Sequence, residues 1–252
     1  MSHKTIVKPY IIKYIPIVTL NFDKKPNLYG FDLDHTLIKP KTPNAIFSKT
    51  ADDWQYMKYN ENVSVIQKLL EIVQNDPFAF IVIFTNQGNV LTVPKHSKSY
   101  YKFNLKINLI LKDIRNREGG DKLLERLWIY SSTKKPKSMN TKTNSSISKQ
   151  NKITKLTHFK NVKFCRDSDE DNYTSNVEAG NKFEEMRKPG IGLYNEFMED
   201  LRSRMGNLSI DKDCWKWYCG DAAGRKSDFS DSDKVFSERI SIPFKLPEEV
   251  FI

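Results

Sequence analysis

The chain has 252 residues, 38% of them hydrophobic, with fifteen Phe and four Trp, which is enough for one sizeable core and too apolar for wholesale disorder. No apolar run is long enough to span a bilayer as a helix, and the opening MSHKTIVKPYIIKYIP lacks the continuous apolar stretch of a secretory leader. Three cysteines without paired spacing (Cys165, Cys214, Cys219) give neither a disulfide framework nor a zinc site, and 41 basic against 31 acidic residues leave +10, which suits a polyanionic partner.

Residues 5–22 contain TIVKPYIIKYIPIVTL, whose β-branched and aromatic residues predict strand and whose prolines predict edge positions. LYGFDLD at 28–34 reads as a short buried strand ending in acid, and the polar stretch 35–60 as a loop or flap. From Val63 to Ile72, apolar residues at helical spacing (Val65, Ile66, Leu69, Leu70, Val73) predict a helix that Asn75-Asp76-Pro77 stops. FAFIVIF at 78–84 is a continuous apolar run suited to the centre of a parallel sheet. A second helix is predicted over 99–115 and a third strand at LWIY, 127–130.

The composition then changes. Residues 132–152, STKKPKSMNTKTNSSISKQNK, hold almost no apolar side chains, and a loosely attached polar insertion is expected at about 136–152. Residues 153–183 are weakly patterned. Pro189 is expected to open a helix carrying Leu193, Phe197, Leu201 and Met205. WKWYC at 215–219 predicts a fourth strand, 233–239 a helix and Ser241–Phe244 a last short strand. Such alternation argues for one α/β domain, a parallel sheet with helices on both faces.

In such sheets the site lies beyond the carboxyl ends of the strands. Those ends read Asp32-Leu33-Asp34-His35-Thr36, then Thr85-Asn86-Gln87-Gly88, then Gly220-Asp221; Arg187-Lys188-Pro189 precedes the helix before the fourth strand. Asp32 and Asp34 are two apart and share one face of an extended chain. Packing carboxylates together is unfavourable without a cation; an all-oxygen set of Asp32, Asp221 and a main-chain carbonyl suits Mg²⁺, and Asp34 is also expected among the metal residues. A carboxylate can attack phosphorus while a second one, Asp34, moves the proton of the leaving oxygen and then of water. Thr85, Asn86 and Lys188 would hold the phosphoryl group. A lone DxD is a weak signal, and Lys135-Pro136 inside the polar insertion repeats the Lys-Pro pair; the ordered set carries the reading.

The set DxDxT, Thr, Lys, Asp resembles the haloacid-dehalogenase-like phosphotransferases. FDLDHTLIKPKT, FSKTADDW, IVIFTNQG, RKPGIG and YCGDAAGRKSDFSDSD resemble more closely the polynucleotide kinase 3′-phosphatases, from about residue 28 to the end. The resemblance implies a haloacid-dehalogenase-like Rossmannoid sheet with a short flap and no large cap. It also implies a nuclear, magnesium-dependent, monomeric DNA 3′-phosphatase that leaves a 3′-hydroxyl for repair. It further implies Asp32 as nucleophile, Asp34 as acid and base, and Asp228 and Asp233 as auxiliary acids that position a water or the lysine. No GxxxxGK[ST] phosphate loop occurs in the chain, so 5′-kinase activity is not expected. His35 stands where the broad family has Gly and is read either as a turn residue or as a DNA contact. Arg225 either binds a backbone phosphate or pairs with an acid; Trp54, with Tyr56, either stacks on a base or pins the flap. Two rival functions remain, a small-metabolite phosphatase and a non-catalytic DNA-end-binding module.

Overall fold

The computed structural model describes residues 1–18, 24–61, 63–139, 181–206 and 208–252. Most of the expected polar insertion, and of the weakly patterned stretch after it, lies outside the described residues. Seven strands form one sheet: β1 (His3–Lys8), β2 (Ile11–Pro16), β3 (Asn27–Phe31), β6 (Ala79–Asn86), β7 (Leu127–Ser132), β8 (Trp215–Cys219) and β9 (Phe244–Lys245), in the order β1-β2-β7-β6-β3-β8-β9. From β7 to β9 neighbours run parallel; β2 and β1 add on as an antiparallel hairpin. The chain lays β6 and then β7 on one side of β3, and returns to lay β8 and β9 on the other. That reversal at β3 places the crevice beyond the carboxyl ends of β3, β6 and β8.

The alternation along β6 divides the interior into two cores, as expected for a central strand buried on both faces. Ile81 and Ile83 face α1 (Val65–Asn75), α2 (Lys98–Arg115) and α3 (Gly120–Leu124). Phe80, Val82 and Phe84 face α4 (Gly192–Met205) and α5 (Ser232–Arg239). The Asp76 carboxylate stops α1 by accepting from Phe78 N–H on one oxygen and from Asn27 and Tyr29 on the other. Ser97 opens α2 by accepting the Tyr100 N–H at 3.1 Å. A small pair, β4 (Ile38–Lys39) with β5 (Gln55–Tyr56), forms the root of the flap. The loop between them is closed by buried Asp53, which accepts from the Thr42 amide and hydroxyl and from the Lys49 amide. A short α6 (Pro247–Val250) ends the described chain.

The structure departs from the sequence reading at several elements besides β4, β5 and α6, which that reading did not contain. Residues 5–22 do not form one edge strand; the chain turns at Pro9-Tyr10, and β2 sits inside the sheet between β1 and β7. The prolines fall at the turn and the strand end, where no ladder N–H is needed. Pro189 does not open α4, which begins at Gly192; residues 187–191 bend first, turning Lys188 inward. The last strand is Phe244–Lys245 rather than Ser241–Phe244, and α3, five residues long, is too short for its periodicity to show.

His3 on the edge strand donates from Nε2 to the Leu127 carbonyl at 2.7 Å. Burial pushes its pKa down to about 4, against the opposing effect of the Leu127 hydrogen bond. An unfolded His titrates near 6.5, so below that pH the unfolded chain binds a proton that the fold excludes. The contribution is therefore complete above pH 6.5 and falls as pH drops toward 4, by about 3 kcal/mol in all. Urea titrations at pH 7 and 4.5 should show this slope, and His3→Gln should flatten it.

Candidate active site

Three strand ends and one bend converge on a single cation. Asp32 follows β3 and is tied to β8 by its N–H, which donates to the Cys219 carbonyl at 2.8 Å. Asp221 follows β8, and Asp233 lies in the first turn of α5. Lys188 is 3% exposed, and its ammonium donates to Asp32 Oδ1 at 2.6 Å, Asp233 Oδ1 at 2.6 Å and the Tyr218 hydroxyl at 2.7 Å. These three acceptors match its three N–H donors. Tyr218 in turn donates to Asp233 Oδ1 at 3.1 Å, and the other Asp233 oxygen accepts the Ala222 N–H. Gly220 permits this approach, since a Cβ there would lie 2.4 Å from the Asp233 carboxyl carbon.

Asn86 supports the lysine from below. Its Oδ1 accepts the Lys188 N–H at 2.8 Å and its Nδ2 donates to the Lys188 carbonyl at 2.9 Å. Both ends of its amide thus bond the Lys188 main chain and position the lysine, a role the sequence reading did not give it, and Asn86 also lines the cleft where that reading placed it for phosphate. Thr85 sits one residue earlier, 1% exposed, with its hydroxyl accepting from Gln87 Nε2 at 2.9 Å. Thr36 links the first and last acidic positions by donating to Asp221 Oδ1 and accepting the Asp221 N–H.

The charges do not balance within the protein. Oxygens of Asp32, Asp221 and Asp233 all lie within 4.8 Å of one another, against one ammonium. Burial pushes Asp32 well above the ordinary carboxylate range; Lys188 pulls it down, and Asp233 and Asp221 push it up again. Burial and then Asp233 likewise raise Asp221. Lys188 is raised: burial opposes its charge, but Asp233 and Asp32 favour it more. A hard divalent cation fits this surplus of negative charge and this all-oxygen set. Asp32 and Asp221 are the carboxylates available to it, because Asp233 is taken up by Lys188, Tyr218 and Ala222.

Asp34 is placed differently from the sequence expectation of a metal ligand. Its side chain does not join the carboxylate cluster: Oδ1 pairs with Lys106 of α2 at 2.9 Å and Oδ2 accepts from Gln87 at 2.7 Å. Any share in cation binding falls to its main-chain carbonyl. Burial alone would raise its pKa, but Lys106 and the Gln87 hydrogen bond bring it below the usual range.

A cleft of about 610 Å³ opens over these groups, lined by Asp32, Asp34, Thr85, Lys188, Asp221 and Asp233. His35 also lines it with a left-handed φ of 65°, which accounts for Gly in the broader pattern, and its Nε2 bonds the flap carbonyl of Ile46. Arg187 reaches over Gly88, where a Cβ would lie 2.9 Å from its Nη1. Arg225 is held by Asp228, Glu248 and the Asp221 carbonyl. Asp228 also accepts the Ala223 and Arg225 amides and so shapes the loop after β8. Trp54 turns against Tyr56 and the core, and is not among the residues lining the cleft. The aromatics at the rim are Phe47 of the flap, 68% exposed, and Phe229, 100% exposed.

The family described as polynucleotide kinase 3 phosphatase matches residues 27–251. This chain belongs to that family. Among curated relatives, a polynucleotide 3′-phosphatase of Saccharomyces cerevisiae is 43% identical over 257 residues, spanning 100% of this chain and 99% of that protein. One of Saccharomyces mikatae, with the same description, is 43% identical across 100% of this chain and 96% of its own. A bifunctional polynucleotide phosphatase/kinase of Schizosaccharomyces pombe is 28% identical and covers 96% of this chain, which spans 40% of that protein.

Within this family member, sequence reasoning missed Tyr218, Gln87 and Lys106. Tyr218 reads as one more aromatic in a strand. Lys106 left a signal: it interrupts the apolar stripe Phe103, Ile107, Ile110 and Ile114 of α2. A charged residue on the buried face of a helix needs a partner. Removing the central cation should be severe, because breaking a buried ion cluster from one side leaves uncompensated charge. Lys188→Met is expected to destabilise the fold by about 3–5 kcal/mol in urea titrations at neutral pH.

Proposed function

We propose that this protein is a polynucleotide 3′-phosphatase that removes 3′-phosphate from DNA strand ends, in the nucleus, as a step of DNA repair. The observation that carries the reaction is the buried Asp32 carboxylate, bonded to Lys188 and facing the same cleft as Thr85. Family membership and the full-length relatives support the substrate class.

In this reading a carboxylate oxygen of Asp32 attacks phosphorus, and the bond from phosphorus to the 3′ oxygen breaks. Lys188 and the Thr85 hydroxyl hold the phosphoryl oxygens as charge moves across them. Asp34 gives the leaving oxygen its proton. The free protein favours the Asp34 carboxylate, so that proton arrives with the substrate's phosphate monoanion. Asp34 then takes a proton from water as the water attacks phosphorus and the Asp32–phosphorus bond breaks; that proton leaves with the released phosphate, restoring both carboxylates. Asp32, Asp221 and the Asp34 carbonyl would hold Mg²⁺, which when bound neutralises carboxylate and phosphate charge.

The cleft is open, and its rim supports a strand end as the substrate. Phe47 and Phe229 offer ring faces on which bases can stack, a mode tolerant of sequence. A free sugar phosphate would leave both rings in water. The basic chain adds attraction for the backbone that is lost with salt.

Asp32→Asn removes the attacking charge with almost no change of volume, and kcat on a 3′-phosphorylated oligonucleotide should fall by at least a thousandfold while the thermal midpoint holds. Equal rates on a 3′-mononucleotide and on the oligonucleotide, unchanged between low and physiological salt, would favour the metabolite reading. Phe229→Ala, at a fully exposed position, should leave the midpoint unchanged and raise KM for the oligonucleotide by about tenfold, since one stacked base contributes about 1–3 kcal/mol. Its rate on p-nitrophenyl phosphate should stay within twofold of the parent.

A further inference from the structure

Lys106 enters the site from outside the motifs that define it. It lies in the middle of α2, buried among Phe103, Ile107 and Ile110. Among the described residues its ammonium has one acceptor, Asp34 Oδ1 at 2.9 Å. A lysine buried in an apolar helix face is unfavourable without a specific partner, so this placement calls for a reason beyond packing.

Asp34 supplies one. It follows β3 on a short turn, with its side chain 37% exposed and in contact with two cavities. One cavity is the catalytic cleft; the other lies between the flap and α2 and includes Lys106, Lys102 and Ser99. Each oxygen of this carboxylate is held by a polar anchor. Gln87 Nε2 donates to Asp34 Oδ2 at 2.7 Å and to Thr85 Oγ1 at 2.9 Å, so one amide ties Asp34 to a wall of the phosphate pocket. Lys106 holds the opposite oxygen from the α2 side. The result is a chain Thr85–Gln87–Asp34–Lys106 that spans the cleft floor from β6 to α2.

We propose that Lys106 is a positioning residue that, with Gln87, fixes the Asp34 carboxylate where it can pass a proton to the leaving 3′ oxygen. The proposal rests on the reading of Asp34 as the acid and base. Proton transfer needs heavy atoms within about 3 Å of each other, and a misplacement of about 1 Å can lower a rate about a hundredfold. Without Lys106 the Asp34 side chain keeps one anchor and can rotate toward the solvent of the second cavity. Lys106 touches no substrate in this account, so binding should be spared.

The test exploits the leaving group. A 3′ oxygen of deoxyribose needs a proton to depart, whereas p-nitrophenolate leaves as the anion. Lys106→Met keeps the stem and removes the charge. Its kcat on a 3′-phosphorylated oligonucleotide should fall ten- to a hundredfold with KM unchanged. The pre-steady-state burst of p-nitrophenol, which reports the first displacement alone, should fall less than threefold. Lys106→Arg, which retains a charged donor, should recover part of the loss on DNA. Thermal midpoints are read alongside; if Lys106→Met does not fold, Lys106→Gln, which keeps a polar end while removing the charge, is tested with the same two substrates.

Equal losses on both substrates, or a loss confined to KM, would overturn the proposal and make Lys106 a structural or binding residue. Asp34→Asn separates the layers. If it retains parental kcat on DNA, the acid and base reading itself fails. If it is impaired while Lys106→Met matches the parent, only the positioning role fails.

Discussion

One buried ammonium has to compensate more negative charge than it carries. Lys188 faces Asp32 and Asp233 directly, and Asp221 completes a carboxylate set within 4.8 Å. Neighbouring features follow from that imbalance. Asn86 clamps the lysine main chain, the Tyr218 hydroxyl takes its third N–H, and Gly220 lets Asp233 close in from α5. A buried cluster of this kind contributes little net stability compared with an apolar core. Its value lies in geometry: the lysine cannot move without leaving two carboxylates unpaired. The surplus charge also makes a place for a divalent cation, which the raised Asp32 and Asp221 describe from the opposite direction.

The two acids of the DxD pair are separated by environment. Asp32 is buried against like charges, whereas Asp34 is partly open and compensated by Lys106 and Gln87. Two carboxylates two residues apart thus acquire different chemistry, one suited to attack and one to moving protons. The sheet reversal at β3 makes this possible: it brings the end of β6 and helix α2 to one side of the pair, and β8 with α5 to the other.

The parts of this arrangement lying on strand ends were legible in the sequence, because a continuous apolar run such as FAFIVIF marks a central strand and the residues after it mark the crevice. Asp32, Thr85 and Asp221 are read that way, whereas Lys188 is read from the Lys-Pro pair ahead of the helix that precedes β8. Partners supplied by other elements were harder. Tyr218 of β8 and Lys106 of α2 act through contacts between elements far apart in sequence, which periodicity does not encode. Asn86 was placed correctly, but its role depends on where the Lys188 main chain passes, and that bend is invisible in RKPGIG. Of the two readings left open for Trp54 the structure favours the one that pins the flap, since it packs on the core; the exposed rim aromatics, Phe47 of the flap and Phe229 of the loop after β8, carry no periodic signal. The hairpin β1–β2 was misread because a proline at a turn and one inside an edge strand look alike in sequence.

The central claim is that Asp32, in its buried and charge-crowded position, forms a bond to phosphorus. Rapid acid quench of the protein during turnover of an oligonucleotide carrying a radiolabelled 3′-phosphate, followed by borohydride reduction and peptide mapping, tests it directly. Label is expected on the quenched protein before reduction; borohydride should then release it as phosphate and leave homoserine in place of Asp32 in the mapped peptide, with neither seen in Asp32→Asn. Turnover at the parental rate without labelled protein, or the reduced side chain at another residue, would contradict the claim.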